Sequence, residues 1–248
     1  MTASRKKRNI VLSILFFLPV AFVIVMMLFK NNYNPLDMVN ITYDEEGFVD
    51  NIYTVEELPS NEKDIKLKNH ITVLSFLGKH PKEKSIAALN LKEIIYDRSK
   101  GFKKFQIVVL ITEDAKKEAE ILFQKIKTYE DMRFWHFVTA SENDIKRIFK
   151  SLKTNVSLDD NLSTDAVFLV DKDMAQRGRL DDRTEKEIEK NAEVYPLYEY
   201  DCIDVGVLKN KLAGEDIRIL FTEYRQKRKG QFEHSSGSRR NQDLKINE

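Results

Sequence analysis

One cysteine in 248 residues is the first scarcity in this sequence. Cys202 alone cannot close an intrachain disulfide, and it cannot form a thiolate metal cluster within one chain. Glycine is scarce too, at eight residues, and no glycine-rich phosphate loop is present. There is no nucleophile elbow and no Cys-x-x-Cys-His haem attachment motif. Charge has no dominant sign: 41 Lys+Arg stand against 40 Asp+Glu, for a net charge of +1. A nucleic-acid binder needs a basic field over one face, so no nucleic-acid partner is expected.

What is present begins with a membrane signal. Arg5, Lys6, Lys7 and Arg8 form a basic cluster. Residues 10–29 follow without a charge, interrupted only by Ser13 and Pro19. At a helical rise of 1.5 Å per residue, about 20 residues cross a hydrocarbon core of roughly 30 Å. Basic residues before the span favour an N-terminus kept in the cytoplasm. A cleaved signal peptide has an apolar region of roughly 7–15 residues ending at a small-x-small site. This run is longer, and residues 26–31 offer no such site. The expectation is an uncleaved single-pass anchor that contacts the lipid bilayer through residues 10–29.

Behind the anchor, the polar, turn-prone residues 31–35 read as a linker. Residues 38–58 mix β-branched and acidic residues and suggest a leading hairpin. From there strands alternate with helices. Residues 71–76 are a short apolar run suited to a buried strand, and residues 106–111 are a clearer one. Residues 134–138 and 166–170 give a third and a fourth. Between them lie helical stripes: Ile86, Leu89, Ile94 and Ile95; then Ala115, Ala119, Leu122, Phe123 and Ile126; then Ile145, Ile148, Phe149 and Leu152. Ser141 and Asp144 have the spacing of a capping box at the start of the third helix. Residues 205–227 carry a last helical pattern, with a break expected at Gly214. This alternation predicts an α/β sandwich with parallel strand pairs over roughly 170 residues, enough for one domain.

Several of these stretches are also distinctive as motifs. Val73 to Gly78 is a strand ending Phe-Leu-Gly. Residues 106–112 form a strand that meets an acidic turn at Glu113 and Asp114. Trp135 leads into Val138, Thr139, Ala140 and Ser141 before a helix, and Val167 leads into Leu169, Val170, Asp171, Lys172 and Asp173 at a turn. In this order and spacing, over roughly residues 65–225, they resemble the Sco family of thioredoxin-fold proteins. Those are membrane-anchored, copper-handling assembly factors for cytochrome c oxidase. The resemblance implies a thioredoxin-like fold, a central mixed sheet flanked by helices, behind one N-terminal transmembrane helix. Together with the composition of its ends, this is expected to divide the chain into a cytoplasmic N-terminus (1–9), an anchor (10–29), a linker with leading strands (30–64), a thioredoxin-like domain (65–229) and a disordered tail (230–248). It also implies that the fourth strand runs antiparallel beside the first.

The departures from the family matter more for chemistry. Laid without gaps from Phe76, the family's two copper-binding cysteines fall at Pro81 and Ser85. Its histidine ligand, counted back from Asp171, falls at Ser163. Copper(I) requires thiolate, thioether or imidazole donors, and these three residues offer none. Thiol–disulfide exchange needs an attacking thiolate and a resolving partner, and Cys202 has no partner in the chain. No catalytic, cofactor-binding or metal-ligating residue is therefore assigned, and no cofactor is expected.

The histidines do not repair this. His80 sits in the loop with Lys79, Lys82 and Lys84, where a solvated histidine is the plainer reading than a ligand or partner contact. His136 lies in a strand, and His70 and His234 show no ligand spacing with either. Asp171 and Asp173 read as a turn, residues 181–187 as a solvated mixed-charge stretch, and the basic residues 225–229 as charge at a helix end. The expected protein is not an enzyme. It is a redox-inactive, Sco-like domain in the inner (plasma) membrane, facing the periplasm or an equivalent compartment, with a binding or assembly role toward a protein partner in a membrane complex. Oxidase biogenesis is the first guess. A copper or thiol-redox protein using a different site, and an interaction subunit of another envelope complex, are the alternatives.

Overall fold

The computed structural model describes residues 2–28, 35–43, 49–52, 54–127 and 131–228. Residues 31–34 of the expected linker and the tail at 230–248 lie outside them, as does His234. The chain divides into two compact units, residues 1–34 and 35–248.

The first unit is one helix, α1 (Thr2–Leu28), with Pro19 inside it. Its described side chains are Arg8 and residues 11–25, and every one of these is exposed. Among the described residues no helix is long and apolar enough to cross a membrane.

The second unit is built on one sheet. In chain order it contains β1 (Asp37–Met38), β2 (Ile41–Tyr43), β3 (Val49–Ile52) and β4 (Ile71–Gly78). Helix α2 (Ser85–Asn90) passes through a π-helical stretch (Leu91–Tyr96) into α3 (Asp97–Ser99). Strand β5 (Phe105–Thr112) is followed by a 3-10 turn (Glu113–Ala115), α4 (Lys116–Ile126), β6 (Trp135–Ala140) and α5 (Glu142–Lys150). Then come β7 (Ala166–Val170), β8 (Gln176–Gly178), α6 (Glu185–Glu189), β9 (Tyr200–Asp201), a second π-helical stretch (Val207–Asp216) and α7 (Ile217–Arg228).

The strand order is β1-β8-β7-β4-β5-β6, with β9 on β7, and β2 pairs with β3 in a separate hairpin. Strands β4, β5 and β6 are parallel, while β7 runs antiparallel beside β4 and β8 antiparallel beside β7. A βαβ half joined to a ββα half around a central mixed sheet is the thioredoxin-like arrangement. The four expected strands are neighbours in the expected directions, and the leading hairpin is present as β2 and β3.

Period-two alternation builds the core on both faces of the sheet. Val73, Ile107, Val109, Ile111, Trp135 and Leu169 point to one side, where Ala119, Leu122 and Ile126 of α4 and Ile217 and Leu220 of α7 cover them. Leu74, Phe76, Val108, Leu110, Val138 and Phe168 point to the other, against Ile145 and Ile148 of α5. Rings of Phe76, Phe149 and Phe168 meet edge-on there, with centroids 5.2–5.9 Å apart. Helix α5 starts where the capping pattern places it: Ser141 Oγ accepts from the Asp144 N–H (3.1 Å) and donates to the Asp144 carboxylate (2.7 Å).

Three expectations need correction. The last helical pattern is not broken at Gly214, because the π-helical stretch carries the chain through it into α7. Ala115, the first residue of the second helical stripe, lies in a 3-10 turn ahead of α4. Residues 181–187 are not simply solvated. Asp181 and Asp182 are buried, Asp181 pairing with Arg183 (2.8 Å) and Asp182 with Arg179 (3.1 Å) and Lys211 (2.8 Å). Such pairing is what permits aspartates to be buried.

A second buried ionic cluster joins distant parts of the domain. Arg177 reaches Asp171 (2.9 Å), Glu223 of α7 (2.6 Å) and the carbonyl of Leu36 (2.8 Å). Asp171 does make the expected turn, accepting from the N–H groups of Asp173 (2.9 Å) and Ala175 (3.0 Å). It also anchors the cluster.

Candidate functional site

The place to look for chemistry is the end of β4, where the chain leaves the sheet toward α2. Gly78 takes φ +56°, and a Cβ built there would overlap the backbone carbonyl of Asn161. Glycine is required by both the conformation and the close approach. The approach is sealed by backbone hydrogen bonds from Lys79 N–H to Asn161 C=O (2.8 Å) and from Thr164 N–H to Phe76 C=O (3.0 Å). The loop at 78–85 and the loop at 159–165 are thereby held side by side. Pro81 is buried in the first, Ser85 opens α2, and Ser163 is buried in the second.

What occupies this junction is a salt bridge. Lys84 Nζ lies 3.2 Å from Asp165 Oδ2 and 3.8 Å from Asp159 Oδ2. Asp159 Oδ1 accepts from the N–H groups of Asn161 (2.9 Å) and Ser163 (2.8 Å), and Asp159 Oδ2 accepts from the Ser163 hydroxyl (2.7 Å). Partial burial works against the Asp159 carboxylate. The hydrogen bonds from Ser163 and Asn161 and the charge of Lys84 outweigh it and hold the carboxyl below its ordinary range. A carboxylate held this way is a poor general base. Ser163, with its proton on that carboxylate and no imidazole partner, is not an activated nucleophile.

Two other basic residues of the loop also have acidic neighbours. Lys79 pairs with Glu142 (2.7 Å), and His80 Nδ1 lies 3.7 Å from Glu118. The positions that would hold copper by the family pattern thus present a proline, two serines and a neighbouring lysine ion pair. This donor set does not fit copper(I). Among the described residues no group of three or more His, Cys, Asp or Glu is arranged to hold a metal ion.

Cys202 is buried, with 1% of its surface exposed. Burial, with Asp201 and Asp165 adding to it, pushes its thiol far above the ordinary value, so it carries no thiolate at neutral pH. His136 is half-buried in β6, and burial, reinforced by Lys63 and His70, lowers its pKa to about 4. It is a neutral packed histidine. Sequence reasoning placed Pro81, Ser85 and Lys84 in the first loop and Ser163 in the second but missed Asp159 and Asp165 and their pairing with Lys84. Lys84 and Asp165 are 81 residues apart, so no local pattern announces the pair.

No protein-family model and no curated protein matches the sequence. The chain is similar in structure to several solved proteins. One is a SCO1/SenC family lipoprotein from Bacillus anthracis, with 14% identity over 73% of this chain and 96% of that one, at a TM-score of 0.42. Another is ScoI from Arabidopsis thaliana with copper bound, with 15% identity over 68% of this chain and 97% of that one, at a TM-score of 0.36. A third is a putative protein disulfide isomerase from Bacteroides thetaiotaomicron, with 10% identity over 79% of this chain and 99% of that one, at a TM-score of 0.38.

Proposed function

We propose that this chain is a membrane-anchored, redox-inactive thioredoxin-like protein. Its role is to bind and help assemble a protein partner, with respiratory oxidase biogenesis as the process and no reaction of its own. The observation that carries this reading is the Lys84–Asp159–Asp165 ion pair, which stands where a Sco protein presents its ligands. The ammonium has no lone pair to give, and the two carboxylates around it are hard oxygen donors, already engaged with Lys84 and unsuited to copper(I). The assignment to oxidase assembly rests on the Sco-like motifs in the sequence.

Residues 10–29 anchor the protein in the inner (plasma) membrane with residues 1–9 in the cytoplasm. The domain lies on the periplasmic or extracytoplasmic side. Support comes from the uncharged run behind a basic cluster and from the described part of α1, where side chains from Val11 to Val25 are exposed all round. A helix that is apolar on every side belongs in lipid or in a protein core.

The test has three arms. Purified full chain is titrated with copper(I) against a chelator of moderate affinity, and no stoichiometric uptake is expected. Proteins co-purifying from detergent-solubilised membranes should include oxidase subunits or their assembly factors. Protease added to intact spheroplasts should digest the domain. A tight one-to-one copper complex that is lost on mutating His80 or His136 would restore a metallochaperone. Co-purification with a different envelope complex alone would move the role there, and a domain protected until lysis would reverse the topology.

A further inference from the structure

A second surface lies at the outer edge of the sheet, apart from the loops just described. The two edges of the sheet differ. One is β1, only two residues long. The other is β6, six residues long, with the sequence Trp-His-Phe-Val-Thr-Ala and neither a Lys, Arg, Asp, Glu or Pro nor a bulge in its pairing with β5. Long uncharged edges are what soluble sheets normally avoid, because unpaired N–H and C=O groups template another strand.

The pairing shows which groups are free. Ile107 N–H donates to Phe134 C=O, and Ile107 is in register with Trp135. In a parallel ladder of that phase, the even-numbered residues of β6 bond to β5 and the odd-numbered ones direct their N–H and C=O outward. The Trp135 N–H is met by Met132 C=O (3.0 Å). Among the described residues no hydrogen-bond partner is found for the outward backbone groups of Phe137 and Thr139.

The same odd-numbered residues line a cleft of about 290 Å³ beside the edge. Trp135, Phe137 and Thr139 line it from β6 and Phe123 from α4, with Asn61 and Ile65 at its lip and the charged Glu62, Lys63, Lys116 and Glu120 also lining it. The lip is preformed: Asn61 accepts from the Ile65 N–H (2.8 Å) and donates to the Ile65 C=O (2.9 Å). Free strand-pairing groups on Phe137 and Thr139 therefore lie beside a cleft that these two residues line together with Trp135.

We infer that this edge binds an extended segment of a partner protein. The segment adds a strand to β6 and places one large apolar side chain in the cleft. Only an extended main chain satisfies both features, since its hydrogen bonds repeat every second residue and its side chains alternate in step with them. A small molecule would fill the cleft and leave the edge unpaired. A second copy of β6 has no side chain to give, because its Phe137 already packs with its own Phe123 (ring centroids 6.2 Å apart) and Trp135 (6.3 Å). This inference stands on the sheet edge alone and holds whether or not the loop at 78–85 binds metal.

The experiment pans a displayed library of random short peptides on the full chain in detergent and measures the best binders by fluorescence polarisation. Selected peptides should share one large apolar residue flanked by strand formers. Thr139→Pro deletes an outward donor and leaves the ladder to β5 intact. It should weaken binding about tenfold or more. Phe123→Ala opens the cleft wall and should weaken binding by a similar factor. Where Thr139→Pro does not fold, the decision passes to Phe123→Ala and to hydrogen exchange at the Phe137 and Thr139 amides, which should slow on adding peptide. The inference is overturned if no peptide exceeds a scrambled control, or if both variants bind as well as the parent. It is also overturned if the chain self-associates through β6, or if peptides bind only after residues 229–248 are removed, which would give the slot to the chain's own tail.

Discussion

Replacing Arg177 with methionine tests the least expected feature of the domain, a buried ionic cluster that ties β8 to α7 and to the segment ahead of β1. The Arg177 side chain is 3% exposed, and those of Asp171 and Glu223 are 2% and 1% exposed. Methionine removes the shared cation and leaves two buried carboxylates facing each other across its place. Lys227 still reaches Glu223 (2.9 Å), whereas Asp171 keeps only backbone donors. Breaking a buried ion pair from one side costs about 3–5 kcal/mol. For a domain of this size that corresponds to a fall in Tm of about 6–20 °C. The loss should also depend on pH. Burial, against the attraction of Arg177, already raises the Asp171 carboxyl above its ordinary 3.8. A raised carboxyl means that the folded state holds more protons than the unfolded one in the window above 3.8, so stability falls as pH rises through it. Removing Arg177 widens that window upward. The difference between parent and variant should be smallest near about pH 4 and largest near about pH 7.5, and other titrating groups cancel in the comparison. Denaturant unfolding of the full chain in detergent at the two pH values measures it. A loss under about 1 kcal/mol at neutral pH, or one of equal size at both, refutes the reasoning. The triple variant Asp171→Asn, Arg177→Met, Glu223→Gln should recover most of the loss, because it leaves no buried charge unpaired.

Gly78→Ala should destabilise by about 2 kcal/mol or more, since it combines an unfavourable positive φ with a clash against the Asn161 backbone, and denaturant midpoints will show it. Cys202→Ser should leave co-purification with the membrane partner unchanged, and in the parent Cys202 should resist alkylation until denaturant unfolds the chain. The ring of His136 should titrate near pH 4 by NMR. Because its folded value lies below the ordinary 6.5, its contribution to stability is present above 6.5 and is lost as pH falls toward about 4; a titration near 6.5 would place it in solvent. Ser141→Ala should cost about 1 kcal/mol by removing the cap of α5.

The sheet was legible because its strands are short apolar runs separated by amphipathic helices, and the parallel order of β4, β5 and β6 follows from the crossovers between them. The charged residues were not legible in the same way. Asp171 next to Asp173 has the form of a turn, and the turn is there. Nothing in the local sequence says that Arg177 and Glu223 will converge on the same aspartate. Residues 181–187 look solvated in part for the same reason: Arg179 and Arg183 are local partners, but Lys211 reaches Asp182 only through the fold. A buried charge is marked by its partners, and partners set by tertiary structure leave no periodic trace.

The candidate site divides along the same line. That the loop carries no thiol is a fact of composition, readable at once. That the vacated positions are closed by an ion pair is a fact of topology, since Lys84 meets Asp159 and Asp165 only after β7 has returned beside β4. The pair also bears on what the loop is for. Lys84 is 19% exposed, while its partners are 44% and 41% exposed, so solvent screens the interaction and its stabilisation is small, on the order of 1 kcal/mol or less. Lys79 and His80 add further cross-links of the same exposed kind, to Glu142 and Glu118. A set of weak ties adds little to stability, but it links the loop at the end of β4 to α4, to α5 and to the loop at 159–165. Loops tied in this way, with proline, serine, ammonium and carboxylate groups in place of thiolate or imidazole, do not suit the capture and release of a soft cation.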